Sequence, residues 1–156
     1  MTTNTFVAVA DGYQNDYTAY LQAPMNRNGS VQQVTGSATM PVTTAAGAFV
    51  GLVPFRKGAT FTIGDKSSHI TDIDAGTDST VNLGIVYKGS DEGVDDVDAF
   101  VAASTAGQTG GFLAITNPVG NTYVTTGDGW LALENEANVS ETEATITFNV
   151  GVSYGL

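Results

Sequence analysis

Ala144-Thr145-Ile146-Thr147-Phe148-Asn149-Val150-Gly151-Val152-Ser153-Tyr154 decides the fold class of this chain. Ala144, Ile146, Phe148, Val150, Val152 and Tyr154 are apolar, and small or polar residues fill every position between them. A period of two places all six on one face of an extended strand, with that face on a core and the other toward water. Val81, Leu83, Ile85 and Tyr87 repeat the pattern, and Ala59, Phe61 and Ile63 give a shorter third strand. Thr5–Ala10, Ser30–Thr35, Ala48–Val53, Gly111–Ile115, Asn121–Thr125 and Trp130–Leu133 read as further short strands. Turn residues punctuate them: Asn28-Gly29 suits a type I′ hairpin, and Asp74-Ala75-Gly76, Gly89-Ser90, Gly120-Asn121 and Gly127-Asp128-Gly129 mark others.

One segment reads as a helix instead. Val94, Val97, Phe100 and Val101 follow a 3.6-residue spacing, and Asp91, Glu92, Asp95 and Asp96 crowd the start, where a helix dipole favours anions. The spacing predicts a short helix near residues 92–104. Many short strands with one brief helix predict an all-β fold, a jelly-roll-like β-sandwich. The 156 residues suit a single domain. Within it, residues 48–156 read as the sandwich core. Residues 1–47 read as an irregular N-terminal arm that orders against a neighbour, or as an ordinary long loop.

Composition narrows the chemistry. There is no cysteine, which removes disulfides, thiol nucleophiles and Cys-bound metals. The net charge of −11 argues against a nucleic-acid-binding face, and no run has the roughly 18–20 apolar residues of a membrane span. Met1-Thr2-Thr3-Asn4-Thr5 lacks the basic start and apolar run of an export signal, so synthesis in a cytoplasm is expected. Charge is uneven: residues 1–64 sum to +1 and residues 65–156 to −12. This asymmetry fits two faces with different neighbours, or acids that simply solvate loops.

Catalytic signatures are sparse. His69 is the one histidine. Ser68 and His69, adjacent on a strand, would point to opposite faces, so a nucleophile–base–orienter set with Asp72 or Asp74 is not expected. The acids at Asp91–Asp98 lack the spacing of a calcium loop, and Asp72, Asp74 and Asp78 are the other place a hard cation would find oxygen ligands. No phosphate-cradling glycine motif occurs. The expectation is a non-enzymatic protein with no cofactor, no catalytic residue and no metal ligand. A carbohydrate-binding module, stacking sugars on Trp130 and Tyr123, is the alternative, with a core role for Trp130 as the competing reading.

From Arg56-Lys57-Gly58-Ala59-Thr60-Phe61 the chain runs to Asp72-Ile73-Asp74-Ala75-Gly76-Thr77 and Val81-Asn82-Leu83-Gly84-Ile85. Gly89-Ser90-Asp91, Asp98-Ala99-Phe100, Gly110-Gly111 and the closing strand Ala144–Tyr154 follow. This order resembles the decoration, or cement, proteins of tailed-bacteriophage capsids, over roughly the last two-thirds of the chain. The resemblance implies a structural virion protein on the outer capsid surface, often trimeric, that binds the major capsid protein and bridges neighbouring subunits. Tyr13, Tyr17, Tyr20, Arg27, Arg56 and Lys57, from the near-neutral N-terminal part, are then the candidate capsid contacts.

Overall fold

The computed structural model describes residues 4–11, 31–63, 69–71, 75–109, 113–114 and 123–154. The C-terminal strand β10 (Ala144–Tyr154) forms as its alternation predicts. Its six apolar residues are buried, and the residues between them, apart from Gly151, are half-buried or exposed. One edge of β10 pairs antiparallel with β2 (Gln32–Met40) through nine unbroken partners, from Ala144 opposite Met40 to Val152 opposite Gln32. Two short strands share the other edge. β4 (Ala59–Thr62) lies against Gly151–Tyr154 and β5 (His69–Thr71) against Thr147–Asn149. β8 (Tyr123–Val124) extends this sheet from β4.

The second sheet has the order β1-β3-β9-β6-β7, built from β1 (Phe6–Val9), β3 (Ala48–Phe55), β6 (Thr80–Tyr87), β7 (Asp96–Ser104) and β9 (Gly129–Ala137). All pairs within it are antiparallel except β1 on β3. The two sheets pack face to face as a β-sandwich. Phe55, Leu52, Leu83, Ile85, Leu131 and Leu133 from one meet Met40, Phe61 and Ile146 from the other. Phe55 touches Phe61 edge-on with ring centroids 5.5 Å apart, a geometry that aligns ring edge with ring face across the sheets.

β3 is buried at all eight residues because its sheet carries a second apolar cluster on the outer face. Phe49, Val86, Trp130 and Ala132 form it, with Phe6, Val9 and Val97 packed around them. The chain closes one side of the sandwich as it leaves β1: Ala10 N donates to the Gly51 carbonyl (2.7 Å) and Asp11 N to that of Ser37 (2.8 Å). Residues 1–47 thus supply β1 and β2 to the sheets. Tyr13, Tyr17, Tyr20, Arg27 and the Asn28-Gly29 turn lie outside the described residues.

The helix expected near residues 92–104 is not formed. Asp96–Ser104 is strand β7, and the one helical element among the described residues is a single turn, α1 (Ala106–Thr109). Bulges produced the misleading spacing. While β6 advances from Val81 to Ile85, its partner runs from Ser104 back to Asp96, so five residues of β6 face nine of β7. Each inserted residue shifts the phase of a period-two pattern. Val94 is 87% exposed before the strand, Val97 joins the outer cluster, and Phe100 and Val101 enter the core. Residues at helical spacing therefore serve different surfaces.

The bulged strand folds over the sheet at Gly84. A Cβ there would stand 2.1 Å from the Asp96 carbonyl oxygen and 2.3 Å from the Val97 carbonyl carbon, both backbone atoms. Gly84→Ala is expected to destabilise the protein by about 3 kcal/mol or more, read by chemical denaturation. A loss within experimental error of zero would mean that β7 does not lie on β6 as described.

Candidate functional site

The strands end in two sets of loops with opposite character. At one end stand the β3–β4 turn, the β6–β7 loop and the β8–β9 turn. Lys57 N donates to Asp128 Oδ1 (2.9 Å), and Asp128 N donates to Glu92 Oε2 (3.0 Å). Thr126 Oγ1 donates to the Glu92 carbonyl (3.0 Å), and Thr126 N to the Tyr87 hydroxyl (3.2 Å). Tyr87 N in turn donates to Asp95 Oδ1 (2.8 Å), whose other oxygen accepts from Asn4 Nδ2 (2.8 Å). Carboxylates accepting backbone N–H groups tie three loops together. Arg56 and Lys57 are brought to this end with both side chains exposed, while the Arg56 backbone N–H donates to the Tyr154 hydroxyl (3.1 Å).

Of the acids expected at a helix start, Glu92 and Asp95 are thus loop anchors. Three other groups at this end have shifted protonation. Burial, then the Tyr87 hydroxyl and the nearby acids, pushes the Tyr123 phenol well above its usual value. Burial also raises Tyr154, with the Asp128 charge adding to it and the Arg56 N–H opposing it. Asp96 is raised by burial first and by the charge and hydrogen bond of Asp98 second.

At the other end, Asn135 organises the β2–β3 loop, the β5–β6 connection and the start of the β9–β10 connection. It is fully buried, its Nδ2 donates to the carbonyls of Thr44 (2.9 Å) and Asn138 (2.7 Å), and its Oδ1 accepts from Ser79 Oγ (3.1 Å). Ser140 Oγ accepts from Thr44 N (2.8 Å) and donates to the Pro41 carbonyl (2.8 Å). Sequence reasoning missed this network. Its signal was present, since Asn135 follows Leu131 and Leu133 at period two and so must face the core, where a polar group needs partners.

Among the described residues, neither end assembles a catalytic set. His69 pairs in β5 opposite Asn149. Ser68, Asp72 and Asp74 lie outside the described residues. Among the described residues, no three His, Cys, Asp or Glu side chains stand close enough together to hold a metal ion. The stacking surfaces of the carbohydrate alternative are taken. Trp130 is 3% exposed, its ring against Gly51 and 6.0 Å from that of Phe6. Tyr123 is half-buried and packs edge-on against Phe100 at 5.8 Å.

No family model matches the chain, and no curated protein does. Two solved structures do match in fold. One is a chain in the capsid of Ralstonia phage GP4, with a TM-score of 0.66 and 17% identity over 97% of this chain and 99% of that one. The other is a chain in the cyanophage Pam1 capsid asymmetric unit, with a TM-score of 0.58 and 20% identity over 93% and 99%. The sandwich is therefore a fold found in chains of two phage capsids.

The raised Asp96 gives a pH dependence of definite sign. The folded state binds this proton more tightly than the unfolded chain, so the ionised carboxylate weakens folding above its folded-state pKa. That cost is relieved as pH falls through this pKa toward the ordinary 3.8. Asp96→Asn is expected to raise the thermal midpoint at neutral pH, and the gain should vanish on acidification. A variant less stable than the parent at neutral pH would contradict this.

Proposed function

We propose that this chain is a structural, non-enzymatic protein of a phage virion that binds the outer capsid surface and cements neighbouring subunits. The observation that carries the reading is the end-to-end match: each capsid chain is covered over 99% of its length by a chain of this size. As part of the same proposal we read the sandwich as a jelly-roll relative, because the chain crosses between the two sheets at nearly every connection.

Chemistry supports the reading. Carboxylates at the strand ends are spent on loop anchoring, and the acidic surface keeps crowded copies apart and soluble. The partner is the major capsid protein, and the location is the virion after synthesis in the host cytoplasm. A homo-oligomer, a trimer in the form the resemblance implies, would present several equivalent weak contacts and raise the overall avidity. Tyr13, Tyr17, Tyr20 and Arg27, with the exposed Arg56 and Lys57, are the proposed contact residues.

Co-sedimentation with capsids assembled without this protein tests the reading. The expected result is saturable binding and a capsid that survives heating better once decorated. Protein that stays in the supernatant at every concentration would overturn it. Replacing residues 13–29 by a short Gly–Ser linker tests the arm without removing β1 from Trp130. The variant should fold and lose capsid binding; wild-type decoration by it would show that the arm is not a contact.

A further inference from the structure

The Asn135 end carries an uncharged loop between β2 and β3. From Asn28 to Phe55 the sequence holds no charged residue, in a chain of net charge −11. This stretch includes β2, β3 and the loop Pro41–Gly47 between them. Val42 is 50% exposed on that loop and Val139 54% exposed on the loop beside it, with Thr43, Ala45 and Ala46 also exposed. The two loops are bonded to each other, Thr43 N to the Ser140 carbonyl (2.9 Å) and Ser140 N to the Thr44 carbonyl (3.0 Å).

The loop pair is also strained and rigid. Thr43 (φ 63°) and Asn138 (φ 64°) both adopt left-handed backbone, which is costly for a β-branched threonine. The buried Thr44, Asn135 and Ser140 network holds them there. Exposed valines flanking strained residues gain nothing for the fold itself. A rigid apolar projection loses little conformational entropy when it is covered, so it is suited to binding.

We propose that this loop pair is where copies of the chain meet, with Val42 and Val139 of one protomer packed against the same loops of its neighbours. Charge selects a second copy as the occupant. Two chains of net charge −11 repel wherever their acids face each other, by about 1 kcal/mol per close pair even in water. The uncharged loops are a surface on which like copies can approach closely. Asp78, Glu141 and Glu143 flank the site and are exposed, the Glu141 carboxylate being turned onto Thr77 N and Oγ1 (both 3.2 Å). Added salt should therefore screen the flanking acids and strengthen association. The proposal deepens the homo-oligomer part of the capsid reading and rests on that part alone.

The test is the absolute mass of the full chain by light scattering across a dilution series, at low and high salt. The wild type should be a multiple of the protomer, more so at high salt. Val42→Asp combined with Val139→Asp should weaken association at least about tenfold, with an unchanged circular dichroism spectrum because both side chains are half-exposed. Arg56→Glu with Lys57→Glu, at the opposite end, should leave the mass unchanged. A wild type that is monomeric throughout, or a double valine variant with wild-type mass, overturns the proposal. If the valine variant keeps its mass but no longer sediments with capsids, the loops face the capsid instead and the proposal also falls. An oligomer built through these loops that does not bind capsids would overturn the capsid reading and leave this inference standing.

Discussion

The fold depends on one strand held along both edges. β10 pairs with β2 on one side and with β4 and β5 on the other, while Ile146, Phe148, Val150 and Val152 press into the core. Each fully buried side chain of this kind contributes about 1.5–3 kcal/mol, more than the cost of having Gly151 or Asn149 in a strand interior. A slip of one residue would turn the whole apolar row to solvent, so the alternation fixes the register. The order β2-β10-β4 within its sheet follows from that pairing.

The strands that obey one simple rule were legible in the sequence. β10 and β4 carry clean alternation because one face is buried more deeply than the other and the backbone is regular, and Val81, Leu83, Ile85 and Tyr87 alternate in β6 although both of its faces are buried. β7 was misread as a helix because its bulges break that rule: Phe100 and Val101 both enter the core, and Val97 faces the outer cluster. β3 shows continuous apolar sequence because the Trp130 cluster covers its outer face, a tertiary fact no local pattern contains. Trp130 itself was read two ways, and packing on Gly51 decides for burial.

The candidate site was less legible than the fold. Arg56 and Lys57 reach an exposed turn as their flanking strands require. The acids Glu92, Asp95 and Asp128 were visible, but their role as acceptors for distant backbone N–H groups depends on loops that only folding brings together. The Asn135 network shows the same limit at the other end. The result is a molecule with two unlike ends, one tied by carboxylates and one by neutral amides and hydroxyls. On the capsid reading, such a division gives the end that bears Arg56 and Lys57 and the opposite end different partners.

The most direct test is cryo-electron microscopy of virions made with and without this gene. The account predicts a two-sheet density matching this fold on the outer surface of the shell, bridging neighbouring capsid subunits and absent from particles lacking the gene. Identical shells from both preparations, or the density located inside the shell or on the tail, would contradict it.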